Sequence, residues 1–469
     1  MAKFNRFKTF LPYLFILLVG GFILTKNITK PFIGHHDWNG VFYSNIARNY
    51  LRYGLLTSKL GQVTSHGYIQ SDSLSFYTHY PPLMPLLLAL FFKVLGVSDL
   101  SARLFTAMFT LSGLLIIYRL SRRLNMSLPA SLAGLAIVFT PMLRFFGLMP
   151  SQEALMVFFT LLSVDFYLDL VKKPTKINQA KFYLSVVLNG LSGWAGYFIY
   201  PLLFIHSRFK AKSLLKVVRK AILLLVIIFI LHLAHIYILT GSIFGGGIID
   251  ALLLRLNLYP LLGKTTPELP GQFSWLNYLK KEISWLKVYY TATLLAACLV
   301  SFSLIVGRLI KKITLKPIES IILLFLGFGF SYPLIFSNVV FVHEYFNIFF
   351  WPFITLALIY LMNVIYLKHK LIGLIVIIAL SGTIYLERLE FFKALNQTQA
   401  HQPAFKLGTL INQSSPKHQP VFIVAPKIFN ITQNIFVSYY ADRQIEYVSS
   451  PDQLPINVKN VFYYNDEIK

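Results

Sequence analysis

Residues 75–105 read "SFYTHYPPLMPLLLALFFKVLGVSDLSARLF", and the fold turns on whether the apolar part, 81–97, crosses a bilayer. A crossing here would put the arginine-rich loop at Arg119, Arg122 and Arg123 on the outer side, although short inner loops are the ones that concentrate Lys and Arg. The fixed φ and missing N–H groups of Pro81 and Pro82 suit a helix start, and Pro85 falls in the first turn, where proline is tolerated. The segment is therefore predicted to be a re-entrant or interfacial helix that does not span.

Working outward, the composition is that of an integral membrane protein. Hydrophobic residues make up 56% of the 469 and charged residues only 13%, whereas soluble domains carry about a quarter charged residues. Apolar runs of roughly bilayer length recur from Phe10 to about Glu387, so the spans are helices and not barrel strands. The net charge of +25 comes from short runs between apolar segments, with no continuous basic face for nucleic acid. The lone Cys298 lies in an apolar run, which excludes a disulfide framework or thiolate metal site. The N-terminal basic and apolar stretch lacks a small-residue cleavage site and reads as an uncleaved first span.

Basic clusters then order the crossings. Inner loops are predicted at Lys3 to Lys8, Arg119 to Arg123, Lys172 to Lys181, Arg208 to Lys220, Arg308 to Lys316, and Lys368 with Lys370. Between them lie about eleven crossings: 10–25, 102–119, 128–144, 152–171, a short pair within 182–207, 220–240, 288–308, 318–336, 346–367 and 371–387. This places the N-terminus in the cytoplasm of a multi-pass plasma-membrane protein. His35, His36, Asp37, His66, Asp72, His79, Arg144, Gln152, Glu153, Asp250, Glu268, His343 and Glu344 face outward, opposite the lysines. Acidic groups near a membrane are costly unless they serve a site or face water.

From about residue 391 the composition shifts to polar residues, prolines and β-rich runs, "PVFIVAP", "QIEYV" and "NVFYY", with the helically spaced "NITQNIFVSYYA" between them. The prediction is an all-α membrane domain over 1–390 and a small extracytoplasmic α/β domain over 391–469.

After the first span comes "GHHDWNGVFYSNIARNYLRYG", residues 34–54. Val41, Ile46, Tyr50 and Leu51 have helical spacing, which predicts an amphipathic helix on the outer surface with Asp37 at its start. Asp37 is a helix cap or a carboxylate at the rim of a cavity, and the residues leave both readings open. Taken with "TPMLRFFGLMPSQEALMVFF" (140–159) and "VHEYFNIFFWPF" (342–353), the order of motifs resembles the GT-C superfamily of polyprenyl-phosphate-sugar glycosyltransferases. The resemblance is to the protein O-mannosyltransferase and aminoarabinose transferase branch, and covers most of the chain. It departs from that pattern where aminoarabinose transferases place lysine before the paired prolines: here Tyr80 follows His79.

The resemblance implies sugar transfer from a lipid phosphate to an acceptor hydroxyl, with inversion, on the outer face. Asp37 is then the candidate base that accepts the hydroxyl proton. His79, Tyr80, Arg103, Arg144, Glu153, His343, Glu344 and Tyr345 are candidate donor-phosphate or substrate-binding groups. Glu153 reads equally as a helix-start carboxylate. No cofactor is expected. His36, Asp37 and Glu153 are the alternative divalent-metal set, set aside because adjacent histidines do not form the i, i+4 pair of helix-borne sites. The glycine-rich 241–250 reads as a loop, and His232 and His235 as packing residues. The expected partners are the polyprenyl-phosphate sugar, a lipid, glycan or protein acceptor, and membrane lipids, without nucleic acid. An oligosaccharide ligase, or a transporter or lipid flippase, is the alternative; no internal repeat of the transporter kind is visible.

Overall fold

The computed structural model describes residues 2–26, 28–137, 139–244, 248–256, 258, 273–396, 399–425, 431–455 and 460–463; Glu268 lies outside them. In chain order the helices are α1 (Ala2–Thr25), α2 (Asp37–Thr57), α3 (Leu83–Leu95), α4 (Asp99–Arg123), α5 (Leu128–Ile137), α6 (Pro141–Phe146), α7 (Gln152–Lys172), α8 (Lys176–Ser192), α9 (Ile199–Lys210) and α10 (Leu215–Thr240). They continue with α11 (Ile248–Arg255), α12 (Trp275–Tyr290), α13 (Ala292–Ile310), α14 (Pro317–Ile335), α15 (Ser337–Val340), α16 (Trp351–Lys368), α17 (Lys370–Asn396), α18 (Gln402–Ser414) and α19 (Ile431–Ala441).

Among the described residues seven helices are long and apolar enough to cross a membrane, and three shorter apolar ones accompany them, at Phe10–Thr25, Leu83–Leu95 and Leu128–Ile137. The predicted crossing 128–144 is broken: residues 139 and 140 lie outside helix, and α6 starts at Pro141, whose ring suits a first helical turn. The predicted short pair is α8 and α9, joined by a 3-10 turn at Trp194–Phe198. α3 has 13 residues, so at 1.5 Å per residue it is about 20 Å long, short of the roughly 30 Å hydrocarbon core.

Burial separates the helices by role. Every residue of α16 from Trp351 to Asn363 is buried, which makes it the central helix of the bundle. α10 leaves Leu223, Val226, Ile227, Ile230 and Leu231 exposed, and α17 leaves Leu371, Ile372, Leu374, Ile375 and Ile378 exposed. Such continuous apolar faces suit lipid and not water. Inside the bundle, polar side chains bond between helices: Asn189 Nδ2 donates to Thr160 Oγ1 at 3.2 Å and Tyr200 OH at 3.2 Å, and Ser163 pairs with Ser185 at 3.1 Å.

Charge separates the two ends. At the end carrying Arg119 and Arg123, those arginines pair with Asp165 and Asp169 of α7 at 2.5–3.3 Å. These two carboxylates therefore neutralise the basic end, and the acidic groups of the chain are divided between both ends. The starts of α2, α4, α7 and α16 gather at the opposite end.

The C-terminal unit holds a parallel sheet of order β4-β3-β5, beside the two-stranded antiparallel β1 (Gln62–Val63) and β2 (Phe76–Tyr77) of the membrane domain. In it β3 (Val421–Val424) is central and fully buried, flanked by β4 (Ile445–Val448) and β5 (Val461–Tyr463). These are the three β-rich runs read from sequence. Buried Arg443 donates to the carbonyls of Asn412 and Ser415, closing the end of α18. The unit docks on the membrane domain through α19. Arg48 Nη1 lies 3.2 Å from Asp442, Arg52 also pairs with Asp442, and Tyr440 OH donates to Asp99 at 2.7 Å.

Candidate active site

Asp37 is the first residue of α2, and the cap position is His36, in the left-handed region at φ 58°. The helix-cap reading is thereby corrected: the carboxylate turns back and accepts the N–H groups of Ile33 at 2.9 Å and Gly34 at 2.8 Å through Oδ2. Its Oδ1 accepts Arg103 Nη2 at 3.2 Å. A carboxylate oxygen has two lone pairs, so Oδ1 retains capacity for a further donor.

The loop before Asp37 is clamped from several sides. Arg103 also donates to the carbonyl of Lys30 and lies 4.3 Å over the Phe32 ring. Asp99 accepts the N–H of Phe32 at 3.1 Å, and His401 N–H bonds the carbonyl of Ile33 at 3.0 Å. Arg103 thus holds the carboxylate-bearing loop.

A second group forms around Glu344. Its Oε1 accepts His35 Nε2 at 2.7 Å and Tyr289 OH at 3.0 Å, with His36 Nε2 at 3.0 Å. Tyr345 packs edge-on against His36 at 5.3 Å, and the His343 ring lies 5.2 Å from Tyr345. Burial, reinforced by His36, pushes the His343 imidazole down to about 4, so it is neutral at pH 7. Of the set His36, Asp37 and Glu153, only His36 joins this convergence. His35 and Glu344 complete it because the left-handed turn at His36 brings both adjacent rings to one side, with centroids 4.0 Å apart.

Glu153, near the start of α7, is buried with no hydrogen-bond partner at Oε2. It lies within electrostatic reach of Tyr43, Tyr77, Tyr345 and Arg255, the last of which belongs to a third group. There Arg255 Nη1 donates to Tyr80 OH at 3.1 Å and Tyr332 OH at 3.3 Å. Arg255 also lines a cavity of about 310 Å³ whose walls include Trp194, Phe198, Phe229, Leu252 and Phe336, with His79 at its edge. The His79 carbonyl accepts Trp194 Nε1 at 2.7 Å. Arg144 lies in the last turn of α6 instead, where burial and the neighbouring Arg388 charge lower its basicity.

Arg255 was not among the sequence candidates. It follows the glycine-rich stretch read as a loop, and the available signal was an arginine on the side opposite the lysine clusters. Tyr332 gave no signal, being one aromatic of many in an apolar helix.

Residues 79–238 match the family described as dolichyl-phosphate-mannose-protein mannosyltransferase. A search of curated protein sequences finds no match. Among solved structures, the chain is similar to the Archaeoglobus fulgidus oligosaccharyltransferase in its apo form, at 11% identity and TM-score 0.55, over 95% of this chain and 65% of that one. It thus spans about two thirds of the archaeal protein's length. ArnT from Cupriavidus metallidurans is similar in its apo state, at 12% identity and TM-score 0.56 over 96% and 87% of the two chains. Bound to undecaprenyl phosphate, it aligns at 13% identity and TM-score 0.57 over 94% and 85%. The chain shares the overall fold of these solved structures over nearly its whole length.

Proposed function

We propose that this chain is an inverting glycosyltransferase that moves a sugar from a polyprenyl-phosphate donor to an acceptor hydroxyl, at the extracytoplasmic face of the membrane. The observation that carries the proposal is Arg255. An arginine set between two tyrosine hydroxyls, at an apolar cavity walled by membrane helices, suits a ligand with an anionic head and a hydrocarbon tail. The ArnT structure with undecaprenyl phosphate supports a ligand of that class.

In the reaction the acceptor oxygen attacks the anomeric carbon opposite the phosphate. The carbon–oxygen bond to phosphate breaks, and its electron pair leaves with polyprenyl phosphate. Arg255, with the hydroxyls of Tyr80 and Tyr332, stabilises the charge gathering on that phosphate. The acceptor proton passes to Asp37 Oδ1, whose Oδ2 is fixed by two backbone N–H groups. Glu153, within electrostatic reach of Arg255, would hydrogen-bond sugar or acceptor hydroxyls through its unpaired oxygen.

Equilibrium binding of undecaprenyl phosphate to the purified chain in lipid nanodiscs tests the assignment. Hydrogen bonds to charged groups are worth about 1.5–3 kcal/mol, so Arg255→Gln should weaken binding roughly 10- to 100-fold. Equal binding by wild type and Arg255→Gln would remove the observation on which the proposal stands.

A further inference from the structure

We infer that His35, His36 and Glu344 form a site for a divalent cation of the zinc type. The ligand atoms of the three residues all lie within 4.8 Å of one another. The two imidazole nitrogens stand 2.7 and 3.0 Å from the same carboxylate oxygen. Two ligands on one tetrahedral zinc ion are separated by about 3–3.5 Å, given bond lengths near 2.0–2.1 Å, so each histidine–carboxylate pair stands close to the spacing such an ion would set. Two imidazoles and one carboxylate are a ligand set that suits zinc and related transition ions over magnesium or calcium.

The simpler reading is an ion pair with hydrogen bonds, and the geometry counts against it. Oε1 of Glu344 already accepts His35 Nε2 and Tyr289 OH, which occupies both of its lone pairs. His36 Nε2 comes to 3.0 Å of that same oxygen, off good hydrogen-bond geometry, and is shielded from solvent. A buried ring nitrogen held by so poorly aligned a contact is costly, and a shared cation would satisfy it. The backbone adds to the case: His36 adopts φ 58°, unfavourable for a side chain with a Cβ, and that turn alone brings two consecutive rings to one point. The side chain of His35 is 42% exposed, which leaves a path for the ion to enter.

The site joins segments 309 positions apart in the sequence and adjoins Asp37, so a bound cation would tie the loop carrying Asp37 to the start of α16. This inference does not rest on the glycosyl-transfer reading, and its readout is metal binding itself.

The test uses the full chain, without a histidine tag, stripped with chelator and titrated with Zn²⁺ by calorimetry, with Co²⁺ absorption as a second readout. The expected result is one equivalent bound, visible Co²⁺ bands of a low-coordinate nitrogen–oxygen site, and a rise in Tm with Zn²⁺. His35→Ala, at the exposed member, and Glu344→Gln, which keeps the carbonyl for Tyr289, should each weaken binding about 100-fold or more, since outer-sphere changes alone cost 10- to 100-fold. Far-UV circular dichroism establishes that both variants fold. Absence of saturable Zn²⁺ binding by the wild type would establish the plain ion pair and overturn the inference, as would undiminished binding in both variants.

Discussion

Arg103 of α4 reaches Asp37 of α2 at 3.2 Å, and the same guanidinium holds the Lys30 carbonyl and covers the Phe32 ring. The carboxylate is therefore both an anchor for its own loop and the proposed proton acceptor, and mutation can separate the two roles.

Asp37→Asn retains an oxygen for the Ile33 and Gly34 N–H groups but is a poor proton acceptor. Turnover should fall by about 10²–10⁴, with Tm little changed. Asp37→Ala leaves those N–H groups and Arg103 without their partner and should lose a further ~1–3 kcal/mol of stability. Paired measurements of turnover and thermal unfolding check both. Near-wild-type turnover in Asp37→Asn would leave Asp37 as an anchor only and move the base to Glu153.

Tyr80→Phe removes one of the two hydroxyls that orient Arg255 while keeping the ring that packs beneath it, 5.2 Å from the guanidinium. A hydrogen bond to a charged group is worth about 1.5–3 kcal/mol, so kcat/KM should fall roughly 10- to 100-fold with the loss in kcat, because the charge on the phosphate develops as the bond breaks. A change confined to KM would limit Tyr80 to holding the donor.

Gly67 has φ +69°, and a Cβ there would fall 2.2 Å from Gln444 N and 2.4 Å from the carbonyl carbon of Arg443. The residue is glycine because the loop and the C-terminal unit meet backbone to backbone. Gly67→Ala should destabilise by more than about 1–2 kcal/mol, the left-handed penalty alone, and release the C-terminal unit to limited proteolysis at a dose the wild type survives.

His66 supplies the pH dependence of the same interface. Burial, with the nearby Arg48 and Arg52 charges, lowers its pKa from 6.5 to about 3, partly offset by Asp442. The folded state therefore takes up the proton less readily than the unfolded one. The neutral ring's contribution is fully present above about pH 6.5 and is lost as pH falls toward 3. Tm followed against pH should drop across this window, and His66→Gln should flatten the drop. An unchanged slope in the variant would assign the acid sensitivity to other groups.

Much of this molecule is legible in the chain because its signals are local. Low charge content, apolar runs and basic clusters mark a helical membrane protein, and alternating β-branched and aromatic residues mark β3, β4 and β5. Asp37 stands out by type and position. The parts that escape are juxtapositions: His35 with Glu344, Arg255 with Tyr80 and Tyr332, Asp99 with Tyr440. Each joins residues at least 77 positions apart, beyond the reach of any periodicity. The i, i+4 rule for paired histidines assumes a regular helix, whereas His36 takes a left-handed backbone that no periodicity announces. The break between α5 and α6 escaped because an apolar run continues through Pro141.

The central claim is that a lipid phosphate is the leaving group of a sugar transfer. It is tested most directly by supplying the purified chain in nanodiscs with a panel of polyprenyl-phosphate monosaccharides and lipid, glycan and peptide acceptors, and measuring released polyprenyl phosphate with the anomeric configuration of the product. The account predicts one polyprenyl phosphate released per sugar transferred, with inversion, for at least one donor, and loss of release in Asp37→Asn and Arg255→Gln. Folded protein that binds undecaprenyl phosphate yet releases none from any donor in the panel, or a product with retained configuration, would contradict it.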